Sequence, residues 1–216
     1  VFRAAATRVE NWAQGMGTNF TKFVFQPIKE AADRYRAAKA AHVKRLHELL
    51  KPIEGSLKKG EIEAPELNGY TFGKDTSGVG MAEVLHAIVH TGNDSNKRKL
   101  LLGRGWAKEN ADGTLDTTQW DAFVNRMAQE GKLTQAHYDF AQGVWDLFES
   151  TKPLAQKTHR DVFGRYFAEV TANAFTDPFG VERRGGYAPA ITDTRIVSDA
   201  ATRSLMETEN QSMAYA

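Results

Sequence analysis

Phe20, Val24, Ile28, Ala31, Tyr35, Ala38, Leu46 and Leu49 recur at steps of three, four, or sums of the two. That spacing puts all eight on one face of a helix, and it predicts a helix from Phe20 to about Leu50. At a rise of about 1.5 Å per residue, such a helix is about 45 Å long. A chain with an element of that length must build a helical hairpin, a rod, or a surface for a partner helix. Thr18 or Asn19 supplies a cap, after a break at Gly15-Met16-Gly17 that closes a shorter helix ending near Ala13. Pro27 either kinks the long helix or delays its start. Arg34, Arg36, Lys39, Lys44, Arg45 and His47 flank the stripe, with Glu30, Asp33 and Glu48 among them. This mixture reads as a solvated face, the alternative being a face for nucleic acid or an acidic partner.

The bulk chemistry narrows the classes. The 216 residues are 41% hydrophobic and 25% charged, which suffices for a real core. Lys and Arg number 28 against 27 Asp and Glu, a net charge of +1, so no overall field draws the chain to nucleic acid or anionic lipid. Absence of cysteine removes disulfides, thiolate catalysis and cysteine zinc sites. No apolar run reaches the roughly 20 residues that span a bilayer. The start at Val1-Phe2-Arg3 and the end at Ala216 lead us to expect an internal piece of a longer polypeptide.

Glycine and proline divide the rest. Residues 52–80 lose periodicity around Lys58-Lys59-Gly60, Pro65, Asn68-Gly69, Gly73, Gly78 and Gly80. We therefore expect a helical segment over 1–51, a linker or long loop over 52–80, and a helical domain over 81–216, which joins 1–51 in one domain as the alternative. Helices are expected at Met81–Thr91 with Gly92 as stop, and from a cap at Asp94 or Ser95 to Gly103. Others run from a capping-box-like start at Asp116 to Glu130, from Thr134 through Phe148, and from Pro153 to about Phe175. Val162, Phe163, Tyr166, Phe167, Val170 and Ala174 would face inward on that last one. A loop covers Thr176–Thr194 and a final helix Ile196–Glu209. The fold class is all-α: an irregular multi-helix bundle with one long N-terminal helix and two long loops rich in Gly and Pro.

Three segments bear on chemistry. His86 and His90 are four apart on one helix face with Glu83 a turn earlier, a spacing that can chelate zinc. The metalloprotease pattern wants Glu directly after the first His, where Ala87 stands, and no further ligand completes a set, so we expect no metal and no cofactor. Histidines bonded to neighbouring loops are the alternative. Asn93 to Trp106 gathers Lys97, Arg98, Lys99 and Arg104 at a helix start, superficially a phosphate or nucleic-acid contact, but without Walker spacing. Asn93 and Asn96 can instead tie a helix–turn–helix corner through side-chain bonds to backbone. Arg183-Arg184-Gly185-Gly186-Tyr187-Ala188-Pro189 either docks on the helices through Tyr187 and Pro189, its glycines allowing close approach, or holds an anion with Arg183 and Arg184. Asp139, Asp146 and Glu149 share a helix without a His or Ser partner, so no general acid or base is assigned. Glu149 beside Phe148 is the one suggestion of a peptidoglycan-cleaving site.

The run His90-Thr91-Gly92-Asn93 through Lys99-Leu100-Leu101-Leu102-Gly103 resembles a block of the large polyvalent proteins of tailed phages. Val144-Trp145-Asp146-Leu147-Phe148 resembles the tryptophan-bearing helix that follows it there. Gly185-Gly186-Tyr187-Ala188-Pro189, with Asp193 after it, resembles the Gly-Gly-Tyr-x-Pro loop that comes third, and Gln26-Pro27-Ile28 fits the same style. The order is kept over His86–Asp193. Ala188 departs from the second aromatic that the family's loop often carries. The resemblance implies a non-catalytic structural or interaction module of an internal or ejected virion protein. Its partners would be other domains of the parent polypeptide, other virion proteins or copies of itself, in the virion interior or, after delivery, the host cytoplasm. A nucleic-acid-binding module using Lys97, Arg98, Lys99, Arg104, Arg183 and Arg184 is the alternative. A fragment of a peptidoglycan-cleaving or nucleotide-processing enzyme ranks third.

Overall fold

The computed structural model describes residues 22–23, 26–58, 60–67 and 78–189. The helices expected before residue 14 and over Ile196–Glu209 lie outside the described residues, as do Phe20 and Val24 of the stripe. The chain falls into two units, Val1–Glu48 and Leu49–Ala216.

The first unit contains most of α1, Gln26–Leu50. Pro27 is the second residue of α1, a first-turn position where the missing amide costs nothing. None of the 25 residues of α1 is buried.

The second unit is mostly helical, and its described residues include three two-stranded antiparallel ladders. Its elements in order are α2 (Glu54–Leu57), β1 (Ile62–Glu63), β2 (Gly78–Val79), α3 (Met81–His90), α4 (Asp94–Gly103), β3 (Lys108–Glu109), β4 (Leu115–Asp116), α5 (Thr118–Gln129), α6 (Gln135–Phe163), β5 (Phe175–Thr176) and β6 (Glu182–Arg183). Ile62 pairs with Val79, Glu109 with Leu115, and Phe175 with Arg183. The short ladders qualify the all-α expectation: each pins the ends of a loop, and none grows into a sheet.

The core is built on α3, which packs against α2, α4 and α6. Val84, Ala87 and Ile88 meet Leu101, Trp106, Trp120, Phe123, Met127, Tyr138 and Trp145 in one buried cluster. Trp106 and Trp120 stack at 5.7 Å between ring centroids and 5° between planes. A second cluster joins Ile53, Leu85, Phe140 and Val144, with Leu49 and Leu50 against it. Described residues of the 52–80 stretch belong to this unit's interior, since Ile53, Ile62, Ala64, Leu67 and Val79 are all buried. Their irregular spacing carries no helical period, although they fill the core.

Two boundaries differ from expectation. Asn93, rather than Asp94 or Ser95, caps α4, its side chain accepting from the Asn96 amide. And α6 runs through Pro153 as one helix to Phe163. Proline removes one helical bond there, while the Ser150 and Thr151 hydroxyls bond to the carbonyls of Leu147 and Phe148. The helix stops where Gly164 turns left-handed at φ 72°. Val162, Phe163, Tyr166 and Val170, expected inward, are exposed.

Candidate functional site

The α3–α4 corner, the middle of α6 and the loop after β6 meet at one place. The last turn of α3 is closed by Thr91, whose amide and hydroxyl both bond to the Ile88 carbonyl. Next comes Gly92, so close to the indole of Trp145 that a Cβ there would collide with the ring. Trp145 donates through Nε1 to the Val89 carbonyl at 2.7 Å, which fixes the ring against the corner. The Gly92 carbonyl receives two amides, Gly186 at 2.8 Å and Asn173 at 3.0 Å. Gly186, at positive φ, lies at the base of the same side chain, where a Cβ would strike Trp145 Cβ and Cγ.

The two asparagines complete the junction. Asn93, fully buried, accepts from the Asn96 amide at 2.9 Å and donates to the Gly186 carbonyl at 3.2 Å. Asn96 donates to the Ala188 carbonyl at 2.7 Å, and its Nδ2 lies 3.4 Å from His90 Nδ1. The loop is thus read through its backbone at alternate residues by side-chain amides. Tyr187, between them, packs edge-on against Phe148 at 6.4 Å. Asn93, Asn96, Gly186 and Tyr187 therefore meet in one junction, with Gly185 abutting the Gly92 and Asn173 carbonyls and Pro189 exposed beyond it.

The six cations are placed differently. Arg183 is buried between Asp177, at 2.8 Å, and Asp139, at 2.7 Å, with its guanidinium 6.0 Å from the Tyr138 ring. Its Nη2 is buried without a partner. Burial opposes the charge, yet the bonds to Asp139 and Asp177 carry the arginine's pKa upward. Asp177 also accepts from the amides of Phe179 and Val181. Arg184 makes a forked contact to Asp146 at 2.8 and 2.9 Å. Arg104 is ion-paired with Glu83, both largely buried, and lies 4.7 Å from the Trp106 ring. Arg98 pairs with Glu109 and donates to the Gly113 carbonyl at 2.9 Å. Among the described residues Lys97 and Lys99 have no ion pair. The two segments converge through backbone and amides, while four of the six charges are held by carboxylates.

Burial shapes the titratable groups. His90 is pushed down to about 4 by burial, then by the neighbouring His86 and Arg104. His86 is lowered for the same first reason, with Arg104 next. Tyr138 is raised by burial and then by the Asp177 and Asp121 charges. The two histidines stand edge to face at 4.5 Å. No group of three or more His, Cys, Asp or Glu able to hold a metal occurs among the described residues.

Glu149 is exposed and bridged to Lys152 at 2.7 Å. It borders a groove of about 770 Å³ along α6, shared with Lys152, Gln156, Arg160, Tyr166 and Glu169. Gln156 holds the returning chain by donating to the Phe167 carbonyl and accepting its amide. Sequence reasoning did not single out Gln156, Asn173 or Asp177. Asp177-Pro178 is a turn signal inside the Thr176–Thr194 loop and is the one sequence mark among the three.

Comparison with family models, with curated proteins and with solved structures finds no match for the chain. No helix among the described residues is long and apolar enough to cross a membrane.

Proposed function

We propose that the chain is a non-catalytic interaction module in which α1 docks an acidic amphipathic helix from another domain of a larger polypeptide. The observation that carries this reading is the surface of α1. It buries none of its residues, yet Ile28, Tyr35, Val43 and Leu46 are exposed. Ile28, Tyr35 and Leu46 fall on one line of the helix, with Lys39 between them. Arg34, Arg36 and Arg45 pair with Glu30, Asp33 and Glu48 of α1 itself, so its three acids are used by three arginines. Lys29, Lys39 and Lys44 have no ion pair among the described residues. An apolar stripe with unmatched positive charge fits a partner of opposite charge. A second copy aligned in parallel would set Lys39 against Lys39, which disfavours that pairing.

The wider setting, a module of a polyvalent phage virion protein, rests on the three blocks His90–Gly103, Val144–Phe148 and Gly185–Pro189. Their meeting in one junction supports the idea that they form one structural device rather than three chance strings. The nucleic-acid reading draws less support, because Arg98, Arg104, Arg183 and Arg184 are engaged by carboxylates.

The test is calorimetric titration of the chain with a synthetic helix carrying Leu on its apolar stripe and Glu on both flanks, and separately with a short DNA duplex. Binding to the acidic helix with a negative heat-capacity change, lost in Tyr35→Ser/Leu46→Ser, is the expected result. Binding to DNA alone, falling steeply with salt, would replace this reading with the nucleic-acid one.

A further inference from the structure

We propose that His90 is a proton-operated latch: protonation of its Nδ1 releases the Asn96 amide from the Ala188 carbonyl and opens the strap Val181–Pro189 from the α3–α4 corner.

The argument begins with one nitrogen. Asn96 Nδ2 carries two protons; one goes to the Ala188 carbonyl at 2.7 Å and the other points to His90 Nδ1 at 3.4 Å. A carboxamide nitrogen only donates, so His90 Nδ1 must accept, which requires the neutral imidazole with its proton on Nε2. A proton on Nδ1 sets donor against donor. Turning the Asn96 amide over to give the imidazolium an oxygen places that oxygen against the Ala188 carbonyl, acceptor against acceptor. Either way, protonated His90 and latched Ala188 exclude each other.

The surroundings give the new charge no relief. On its own helix His90 faces His86, and after α4 it faces Arg104, whose partner is Glu83. From α4 comes the uncharged Asn96 amide, and from the strap the Ala188 carbonyl. From α6 the Trp145 indole donates to the carbonyl of Val89, the residue before His90. Among the described residues no carboxylate pairs with His90, and Glu83, a helical turn before His86, is held by Arg104. The histidine accordingly stays neutral in the latched form until about pH 4, whereas a solvated imidazole titrates near 6.5. Between these values strap opening rises about tenfold per pH unit, since the open form takes up a proton that the closed form refuses. The latch spans 92 residues of sequence, so its release frees a segment without breaking the local bonds of either helix. Asn93 and Gly92 hold the strap at Gly186 in neutral solution, and the histidine is the part of this clasp that acid can address.

The experiment is hydrogen exchange on the whole chain, reading amides of 181–189 against those of α5 from pH 7 to 4 after correction for intrinsic rates. His90 is followed in parallel through its imidazole carbon resonances. The expected result is strap opening that grows about tenfold per unit below 6.5 while α5 stays protected. His90→Gln, which keeps an acceptor but does not titrate, is expected to flatten that dependence. Equal slopes in wild type and variant would overturn the proposal, and so would a strap that opens only when α5 does. Should His90→Gln fail to fold, the wild type alone decides. A Gly186 shift that titrates together with the His90 resonances supports the latch, and a Gly186 shift unmoved by His90 titration refutes it.

Discussion

The backbone of Gly92 lies against the indole of Trp145, and that of Gly186 against the Cβ and Cγ of the same side chain. No side chain fits at either. Gly92→Ala is expected to cost about 2 kcal/mol by overpacking, measured as a shift in denaturation midpoint at unchanged slope. Because Gly92 presses on the indole's outer ring atoms, Gly92→Ala and Trp145→Phe should couple. The smaller ring recovers part of the loss, and a double-mutant cycle that comes out additive would contradict this contact.

Arg183 and Arg184 are sequence neighbours with opposite fates. Arg183→Ala leaves Asp177 buried without its cation and is expected to destabilise by about 3 kcal/mol. Arg184 is exposed, and Arg184→Ala should stay within about 0.5 kcal/mol of wild type. Urea unfolding of the two variants side by side decides it; similar losses would mean that the buried triad with Asp139 and Asp177 is misread.

Tyr138 should resist base. Its folded-state pKa lies above the ordinary 10.0, so the folded protein keeps a proton that the unfolded chain gives up. The stability this contributes is complete below pH 10 and is lost as pH rises through the folded value. An ultraviolet difference titration should show one tyrosine silent while exposed ones ionise, appearing only with unfolding. Full tyrosine ionisation in the folded state would count against it.

On α1, Lys39→Glu is expected to abolish binding of the acidic helix while leaving the melting temperature within about 2 °C of wild type, since an exposed substitution changes stability little. Loss of binding together with loss of stability would indicate that the stripe is structural.

Much of the second unit could be read from the chain because its signals are local. Gly92 ends α3, Thr134 caps α6, and Trp120, Phe123, Val124 and Met127 share a buried face. The failures were also local in origin. Pro153 looked like a start, yet hydroxyls from Ser150 and Thr151 accompany it inside a continuous helix. Val162 and Phe163 carry helical spacing onto a turn that Gly164 ends. In the junction, Asn93 and Asn96 were legible as corner residues, but not as donors to Gly186 and Ala188. That pairing depends on a chain return more than ninety residues later, which periodicity cannot encode. Arg104 read as an anion contact because its carboxylate, Glu83, is distant in sequence; Arg183 read so although one of its two carboxylates, Asp177, is six residues away, since only the chain's fold buries that pair.

The clasp between Asn93 and Gly186 joins points 93 residues apart. On a ribosome adding about 5–20 residues per second, the α3–α4 corner emerges and then waits some 5–20 seconds before its strap exists. During that interval the amides of Asn93 and Asn96 are bound to water, and Trp145 itself is made only partway through it. Vectorial synthesis therefore makes this corner depend on sequence that arrives long after its own.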